Sequence, residues 1–418
     1  MNNQRLELVA DFYEYTMANG YFNKNMEDRV AYFDVFFRKV PDEGGYAIVA
    51  GLEQIINYIR NVSFDEEDIS YLRKQNKFTE EFLNYLENFR FTGDIWAIPE
   101  GTVVFPNEPL ITVKAPIIQA QLLETMLLLT TNHQSLIATK TSRIVKEAQG
   151  RPVMEFGARR AHGINAAVEG ARAAIIGGAV GTSCTLSAKE FNVPASGTMA
   201  HSWIQSFDSE YEAFKAYAEL YPDDCTFLID TYNTIESGLP NAIKVFNEVL
   251  KPKGYRPKAV RLDSGDLAYL SKKVRKILDE TGYEDCKICA TNSLDEYLIK
   301  SLIEQDAKID LFGVGENLIT AKSEPVFGGV YKLVALEKDK KIVPKIKVSE
   351  NTAKVTNPSV KKVYRFYDNE TKKAIADVIT LADEIIDERE YMIFDPQNPW
   401  KKKVLKAVSY THLTLPTT

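Results

Sequence analysis

The sequence has few cysteines, few histidines and no long apolar run. Only four of its 418 residues are cysteine and only four are histidine. A disulfide-based secreted protein of this size would carry more cysteines, so a reducing compartment is expected. Polar residues break the apolar segment 117–129, and no run approaches the roughly 18 residues of a membrane-spanning helix. The N-terminus lacks the basic-then-apolar pattern of a signal peptide, so we expect a cytoplasmic protein.

The charge balance is slightly acidic. Lys and Arg number 51 against 58 Asp and Glu, a net charge of −7. Such a surface is not expected to bind nucleic acid or an anionic membrane, so an anionic substrate would need a local basic pocket. The hydrophobic share of 45% is typical of a soluble globular chain, and the length predicts more than one domain.

Cys286 and Cys289 have the spacing of a redox or zinc motif. No second Cys or His pair lies at zinc-ligand spacing. The surrounding sequence is typical of a buried strand, so we interpret this pair as structural.

The middle of the chain alternates short apolar runs with polar or glycine-containing turns and helical patterns. The runs begin at residues 153, 179, 226, 259, 288 and 311. Several lie roughly 25 to 35 residues apart, the length of one βα unit, and about seven such units favour a closed barrel. An open doubly wound sheet is the alternative. In a barrel, residues directly after the strands gather at one face, where active sites lie.

The two ends of the chain have a different pattern. Helical patterns and strand-like runs alternate in residues 1–130, and short strands are predicted in residues 335–396. The helical patterns cover 8–22, 51–62 and 65–89, and the strand-like runs cover 32–40 and 93–114.

These patterns predict an α/β fold with two domains. An irregular (β/α) barrel, residues 136–334, is inserted in a smaller, partly β domain formed by residues 1–135 and 335–408. Residues 409–418 contain no Asp, Glu, Lys or Arg, unlike the lysine-rich stretch before them. We interpret them as a foreign or disordered tail.

Three polar residues of the middle part are candidates for chemistry. His201 lies among small residues that would let a ligand approach, and imidazole can act as a base or a phosphoryl acceptor. A structural histidine beside Trp203 is the alternative. Asp230 and Asp263 each follow an apolar run, where carboxylates can hold Mg²⁺ or ribose hydroxyls. A helix N-cap is the alternative for both.

Arginines near strand ends are candidates for anion binding. Arg159 and Arg160 follow Phe156 and could place a guanidinium beside an aromatic ring, or could form an exposed pair. Arg261 lies two residues before Asp263 and shares its strand face, so a pair with a neighbouring acid is the alternative to substrate binding.

Glycines offer one weak phosphate site. Gly313 and Gly315 form a turn before a helix, where backbone N–H groups could hold phosphate, although such turns also simply reverse the chain. The P-loop, the dinucleotide fingerprint, the serine nucleophile elbow and His-Glu-x-x-His are absent from the sequence. Binding of ATP or NAD by those standard loops is therefore unsupported.

Taken together, these segments resemble nicotinate phosphoribosyltransferases of the bacterial type. The matching segments follow the family's order along the chain and lie at 11–17, 33–41, 155–163, 181–183, 197–202, 229–232, 261–266 and 312–315. The resemblance covers about residues 5 to 408. It implies the type II phosphoribosyltransferase fold, an irregular α/β barrel beside a smaller α/β domain, and homodimers with shared active sites.

The resemblance also implies a reaction. The family joins nicotinate to 5-phosphoribosyl pyrophosphate, giving nicotinate mononucleotide and pyrophosphate in the first step of NAD salvage from nicotinate. ATP hydrolysis is coupled to this step, and Mg²⁺ accompanies the pyrophosphate.

The resemblance assigns roles around the base. His201 matches the histidine that ATP phosphorylates. Phe156 matches the aromatic that stacks on the pyridine ring, and Tyr13 matches the opposing aromatic, supplied by the partner subunit. Arg159 and Arg261 match substrate-binding arginines.

Further roles concern ribose and phosphates. Asp230 and Asp263 match the carboxylates around ribose and metal, and Arg38 matches an arginine near pyrophosphate. Gly313 and Gly315 match the loop that holds the 5′-phosphate. Further anion contacts are expected at Arg143 and Lys322.

Ser183 bears on the choice of base. Related nicotinamide-using enzymes have an aspartate at this position of the Gly-Thr-x segment, where it can accept from the amide. A carboxylate would repel nicotinate, whereas the Ser183 hydroxyl can donate. The sequence therefore favours nicotinate; a nicotinamide enzyme and an inactive relative that binds a base or phosphosugar are the alternatives.

Overall fold

The two ends of the chain form one unit and the middle forms another. The structure, a computed structural model, describes residues 6–348, 350, 355–387, 390–395, 398–406 and 408–416. The flank unit consists of residues 1–135 and 326–418, and the central unit of residues 136–325.

The N-terminal part of the flank unit mixes helices and short strands. Its helices are α1 (Phe12–Phe22), α2 (Leu52–Asn61), α3 (Glu66–Lys74), α4 (Glu80–Glu87) and α5 (Ile117–Gln121), followed by the long helix α6 (Glu124–Glu147). Its strands are β1 (Val30–Phe37), β2 (Ala47–Ile48), β3 (Asp94–Ala97), β4 (Val103–Val104) and β5 (Ile111–Pro116).

The helix predicted over 65–89 is two helices in the structure. Asn76 has a positive φ of 53°, which ends the first helix because an α-helix needs a negative φ. The Thr79 hydroxyl then accepts a hydrogen bond from the Phe82 N–H at 3.4 Å and caps the second helix. A local break with its own cap therefore divides a pattern that is continuous in the sequence.

The central unit alternates strands and helices. Its strands are β6 (Val153–Glu155), β7 (Gly181–Thr182), β8 (Thr226–Leu228), β9 (Ala259–Leu262), β10 (Lys287–Ala290) and β11 (Leu311–Val314). Its helices are α7 (Ile164–Ile176), α8 (Thr185–Glu190), α9 (His201–Gln205), α10 (Glu210–Leu220), α11 (Leu239–Val245), α12 (Leu267–Glu280), α13 (Glu296–Glu304) and α14 (Glu316–Ile319).

The six apolar runs found in the sequence all supply strands of one parallel sheet. The strand order is β7-β6-β11-β10-β9-β8, and every pair in it is parallel. In the described part of the chain no pairing joins β7 to β8, so the sheet is a curled half-barrel rather than the closed barrel of about seven units. The α/β fold class with an irregular barrel is confirmed.

The C-terminal part of the flank unit is made of strands. They are β12 (Gly329–Lys338), β13 (Lys341–Pro344), β14 (Lys361–Asp368), β15 (Ala374–Leu381), β16 (Glu390–Asp395), β17 (Asn398–Lys406), β18 (Val408–His412) and β19 (Leu415–Pro416). The domain boundary predicted at residue 335 falls inside β12.

Antiparallel pairing joins the two ends of the chain. The main sheet of the flank unit has the order β13-β12-β1-β5-β3-β19, so β1 lies between a strand from each end. A buried ion pair supports this junction: Lys361 Nζ lies 2.8 Å from Asp34 Oδ2, and the Thr112 hydroxyl donates to Asp34 Oδ1 at 2.7 Å. Because Lys361 also donates to two backbone carbonyls, both buried charges have partners.

Most of the segment interpreted as a foreign or disordered tail is built into strands. β18 pairs with β14, and Leu415 and Pro416 pair with Ala97 and Trp96 of β3. These pairings place the described tail residues in two sheets of the flank unit. The foreign origin of their sequence stays a prediction.

The Cys-x-x-Cys pair lies in the buried strand β10 and just before it. Cys286 and Cys289 are both buried, and burial raises the pKa of each thiol to about 12. The described residues contain no group of three metal-ligating side chains. They also contain no helix whose length and hydropathy would suit a lipid bilayer.

A buried carboxyl group fixes the start of α1. Glu14 accepts hydrogen bonds from the Thr125 hydroxyl at 2.5 Å and from the Asp11 N–H at 3.2 Å, both through Oε1. Its Oε2 is buried without a hydrogen-bond partner among the described residues. Burial raises the pKa of Glu14 from its ordinary 4.5 to about 7, against the lowering effect of the two hydrogen bonds.

This geometry predicts a pH-dependent cost at Glu14. The folded protein holds the Glu14 proton more tightly than the unfolded chain, so ionisation disfavours folding. Relative to Glu14→Gln, the wild type should lose on the order of 2 kcal/mol of unfolding free energy as the pH rises from about 4.5 to about 7. Urea unfolding of both proteins at pH 5 and pH 8 measures this. Glu87→Gln, at an exposed position of α4, should show no such pH-dependent gap, and equal gaps at Glu14 and Glu87 would contradict the prediction.

Candidate functional site

The carboxyl ends of the parallel strands bring the polar candidates of the central unit together. Asp230 follows β8, Asp263 follows β9 and Thr291 follows β10. Phe156 follows β6, and Gly313 lies within β11. Ligands of parallel α/β sheets bind at this edge, so the arrangement is that of a binding site.

Asp230 ties two of these turns together. Its Oδ2 accepts hydrogen bonds from the Asp263 N–H at 2.9 Å and from the Ser264 hydroxyl at 2.6 Å. Its Oδ1 is buried and has no hydrogen-bond partner among the described residues. The N-cap interpretation is wrong for both aspartates, because Asp266 caps α12 and Asn233 caps the helical turn after β8.

Arg261 and Asp263 form an ion pair at the end of β9. Arg261 Nη2 donates to Asp263 Oδ1 at 3.1 Å, and Arg261 Nε donates to the Thr291 hydroxyl at 3.0 Å. That hydroxyl also lies within hydrogen-bond contact of Asp263 Oδ1. The sequence suggested an arginine–acid pair as the alternative to substrate binding, and the structure shows this pair within the candidate site.

His201 is the first residue of α9 and faces the same carboxylate. Its Nδ1 lies 3.1 Å from the Thr231 hydroxyl, and its Nε2 lies 3.7 Å from Asp263 Oδ2. The side chain is 40% exposed, so the ring is accessible to solvent. Thr231 directly follows Asp230, and the histidine therefore contacts the turns after β8 and β9.

The position of Phe156 depends on Gly313 in the neighbouring strand β11. Its N–H donates to the Val314 carbonyl at 2.8 Å, which anchors the residue to β11. A Cβ added at Gly313 would lie 2.6 Å from the Phe156 ring and 2.7 Å from Thr291. The Arg261 guanidinium lies 5.9 Å from the centre of the Phe156 ring, within cation–π range.

The buried residue Glu155 contacts both turns that carry Phe156 and Ser183. Glu155 is fully buried at the end of β6, and burial raises its pKa. Its Oε1 accepts from the Gly157 N–H, and its Oε2 accepts from the Thr182 hydroxyl at 2.6 Å. The Ser183 N–H donates to the Glu155 carbonyl at 2.9 Å, and the Ser183 side chain is exposed. Glu155 therefore fixes the spacing between the two turns.

Four further candidates of the central unit lie outside this hydrogen-bonded group. Arg159 is exposed in a 3₁₀ turn, and Arg143 lies half-buried on α6. Gly315 precedes the single-turn helix α14, and Lys322 Nζ lies 3.1 Å from Glu316 Oε1. Their assigned contacts with substrate stay predictions.

Tyr13 and Arg38 belong to the flank unit. Tyr13 is 44% exposed on α1. Arg38 follows β1, and its Nε is buried without a hydrogen-bond partner among the described residues. Lys332 lies nearby on β12, where burial and the charges of Arg38 and Lys347 lower its pKa, while Glu124 opposes this. The assigned contacts of Arg38 with pyrophosphate and of Tyr13 with the base stay predictions.

Sequence reasoning assigned no role to Thr291 and Glu155 of the central unit, or to Lys332 of the flank unit. Thr291 was detectable, because it follows an apolar run just as Asp230 and Asp263 do. Glu155 and Lys332 carried no such signal, since one lies within a strand and the other lies far along the chain from the candidate loops.

The close packing at Gly313 predicts a steric cost for a methyl group there. Gly313→Ala should destabilise the protein by about 1 to 3 kcal/mol, because Phe156 and Thr291 must move to admit the Cβ. Urea unfolding measures this loss. The control is Gly20→Ala in α1, where an added Cβ meets no atom within 4 Å and the effect should be neutral or stabilising. Equal stability of Gly313→Ala and wild type would show that the packing is looser than described.

Sequence comparisons identify one family along the chain. Profiles of the nicotinate phosphoribosyltransferase N-terminal domain, family and C-terminal domain match residues 8–132, 152–380 and 360–417. A nicotinate phosphoribosyltransferase of Bacillus subtilis is 47% identical over 399 residues, covering 95% of this chain and 81% of the relative. One of Mycobacterium tuberculosis is 45% identical over 360 residues, covering 86% and 75%.

Solved structures share the fold of this chain. The crystal structure of human nicotinic acid phosphoribosyltransferase matches with a TM-score of 0.86 at 26% identity, covering 98% of this chain and 89% of that one. Nicotinate-nucleotide pyrophosphorylase from Pyrococcus furiosus shares the fold, with a TM-score of 0.75 at 24% identity over 100% of this chain and 91% of that one. Family profiles in order along the chain, close relatives and a shared fold together show that this chain belongs to the nicotinate phosphoribosyltransferase family.

Proposed function

We propose that this protein joins nicotinate to 5-phosphoribosyl pyrophosphate, releasing nicotinate mononucleotide and pyrophosphate, and that ATP hydrolysis is coupled to the reaction. The observation that carries the proposal is the group of Asp230, Asp263, Arg261 and His201, linked by short contacts at the carboxyl ends of the strands. Family membership supplies the substrates. We also propose a cytoplasmic location, supported by the low cysteine content.

The two aspartates suit the ribose and the leaving group. Displacement of pyrophosphate develops positive charge on the ribose ring and negative charge on the leaving group, and fixed charges nearby stabilise both. The buried, unpartnered Oδ1 of Asp230 and the Oδ2 of Asp263 remain to accept from ribose hydroxyls or to ligate a cation. Carboxylates together with substrate phosphates are the ligand set that Mg²⁺ prefers, so the residues fit that ion. When bound, Mg²⁺ would neutralise charge on the departing pyrophosphate.

The base is expected to stack on Phe156. The guanidinium of Arg261 lies over the Phe156 ring, 5.9 Å from its centre, and would supply cationic charge for the nicotinate carboxylate. The exposed Ser183 side chain offers a hydroxyl donor and no negative charge. Nicotinate should therefore bind in preference to nicotinamide.

His201 is the proposed phosphoryl acceptor. Transfer of the γ-phosphoryl group of ATP to a ring nitrogen would break the terminal P–O bond, form a P–N bond and release ADP. Water would later cleave the P–N bond and release phosphate, which returns the imidazole to its initial state. Close to Asp263 and Thr231, the added negative charge would change the affinity for the other substrates.

The first test is pyrophosphate release by wild type and His201→Ala, with nicotinate or nicotinamide, with and without ATP and Mg²⁺. Wild type should release pyrophosphate with nicotinate in the presence of Mg²⁺, and ATP should increase the rate. His201→Ala should lose the ATP effect and keep Mg²⁺ dependence, because the aspartates remain. The control is His162→Ala, an exposed histidine to which no role is assigned. No release by folded wild type with either base would refute the proposal.

We further propose a homodimer in which Tyr13 completes the site of the other subunit. Tyr13→Ala and Asp263→Asn, expressed separately, should each be inactive. Coexpression should restore about a quarter of the wild-type activity, because random pairing leaves one intact site in half of the dimers. Measured pyrophosphate release by the copurified mixture decides this. If the mixture stays inactive, Tyr13 does not act across the interface.

A further inference from the structure

Thr291 connects the two charged residues at the end of β9. The residue is 3% exposed, and its backbone N–H donates to the Leu262 carbonyl at 2.9 Å, which fixes it against that strand. The hydroxyl oxygen accepts from Arg261 Nε at 3.0 Å. A hydroxyl has a single proton. Its two acceptors are Asp263 Oδ1, which is the nearer, and the Leu262 carbonyl at 3.3 Å.

These contacts leave little of the Arg261 guanidinium unused. Of its five N–H groups, Nε–H is bound to Thr291, and Nη1 donates to the Thr198 hydroxyl at 3.2 Å and to the Met199 carbonyl at 3.4 Å. Nη2 donates to Asp263 Oδ1 at 3.1 Å. Among the described residues, these contacts therefore leave one N–H of Nη2 for a ligand.

We infer that Thr291 is a positioning residue that holds Arg261 and Asp263 in the arrangement needed for the reaction, an inference that rests on the proposed function. The Thr291 hydroxyl occupies the Nε–H of Arg261. Arg261 therefore cannot direct Nε and Nη2 together at the Asp263 carboxylate. Arginine and a carboxylate otherwise prefer the bidentate geometry, with two parallel hydrogen bonds.

The consequence concerns Asp263 Oδ2. In the structure, Asp263 Oδ1 takes both the Arg261 and Thr291 contacts, and Oδ2 faces His201 Nε2 at 3.7 Å. A bidentate pair would occupy both oxygens of Asp263, including Oδ2, and would leave neither for a ligand. Thr291 thus keeps one N–H available for the nicotinate carboxylate and one carboxylate oxygen available for ribose or the cation.

The test compares Thr291→Val with Thr291→Ser in the pyrophosphate-release assay. Valine keeps the shape and removes the hydroxyl, whereas serine keeps the hydroxyl. Thr291→Val should lower kcat/KM for nicotinate about 10- to 100-fold through both a higher KM and a lower kcat, the range expected for a lost hydrogen bond to a charged group. Thr291→Ser should remain within about threefold of wild type.

A double-mutant cycle separates positioning from simple packing. Arg261→Lys removes the Nε donor, so Thr291→Val should cost much less in that background than in wild type. A purely structural role would instead lower the melting temperature and the active fraction, with KM unchanged and the same loss in both backgrounds. If wild type is active and Thr291→Val has the same kcat and KM, the inference is wrong and the proposed function stands. An inactive, folded wild type would overturn the proposed function and the inference with it.

Discussion

The Asp230 carboxylate is the interaction on which the candidate site depends. Its Oδ2 accepts from the backbone N–H of Asp263 and from the hydroxyl of Ser264, so it fixes the turn after β9 against the turn after β8. Each hydrogen bond to a carboxylate contributes about 1.5 to 3 kcal/mol. Arg261 and Thr291 contact Asp263, and His201 faces it. The turn that carries Asp263 is therefore where the contacts of these three side chains meet.

A few cationic side chains can attract anionic substrates although the whole protein is acidic. The chain has a net charge of −7, yet its proposed substrates are anions. In the central unit, Arg261 is aligned by Asp263 and Thr291, and in the flank unit Arg38 lies near Lys332 and Lys347. Cations that are partly buried act in a lower effective dielectric constant than those on the surface. A few such residues can therefore select an anion on a negatively charged protein.

Sequence reasoning was accurate where short-range pattern decides the structure. The six apolar runs became β6 to β11, because strands buried on both faces need continuous apolar sequence. Sequence reasoning was less accurate where pairing between distant segments decides the structure. The half-barrel leaves β7 and β8 unpaired with each other in the described chain, and β12 pairs with β1 across most of the sequence. Closure and partner choice depend on packing that periodicity does not encode.

The sequence by itself determined the family, the α/β class and the polar residues at the strand ends, because residue type and order are enough to identify them. It could not decide whether Asp230 and Asp263 cap helices or build a site, since an aspartate after a strand suits both roles. Only the tertiary structure decided this, by bringing the turns after β8, β9 and β10 together. Hydrogen bonding between residues about 30 positions apart depends on strand register, which no local pattern specifies.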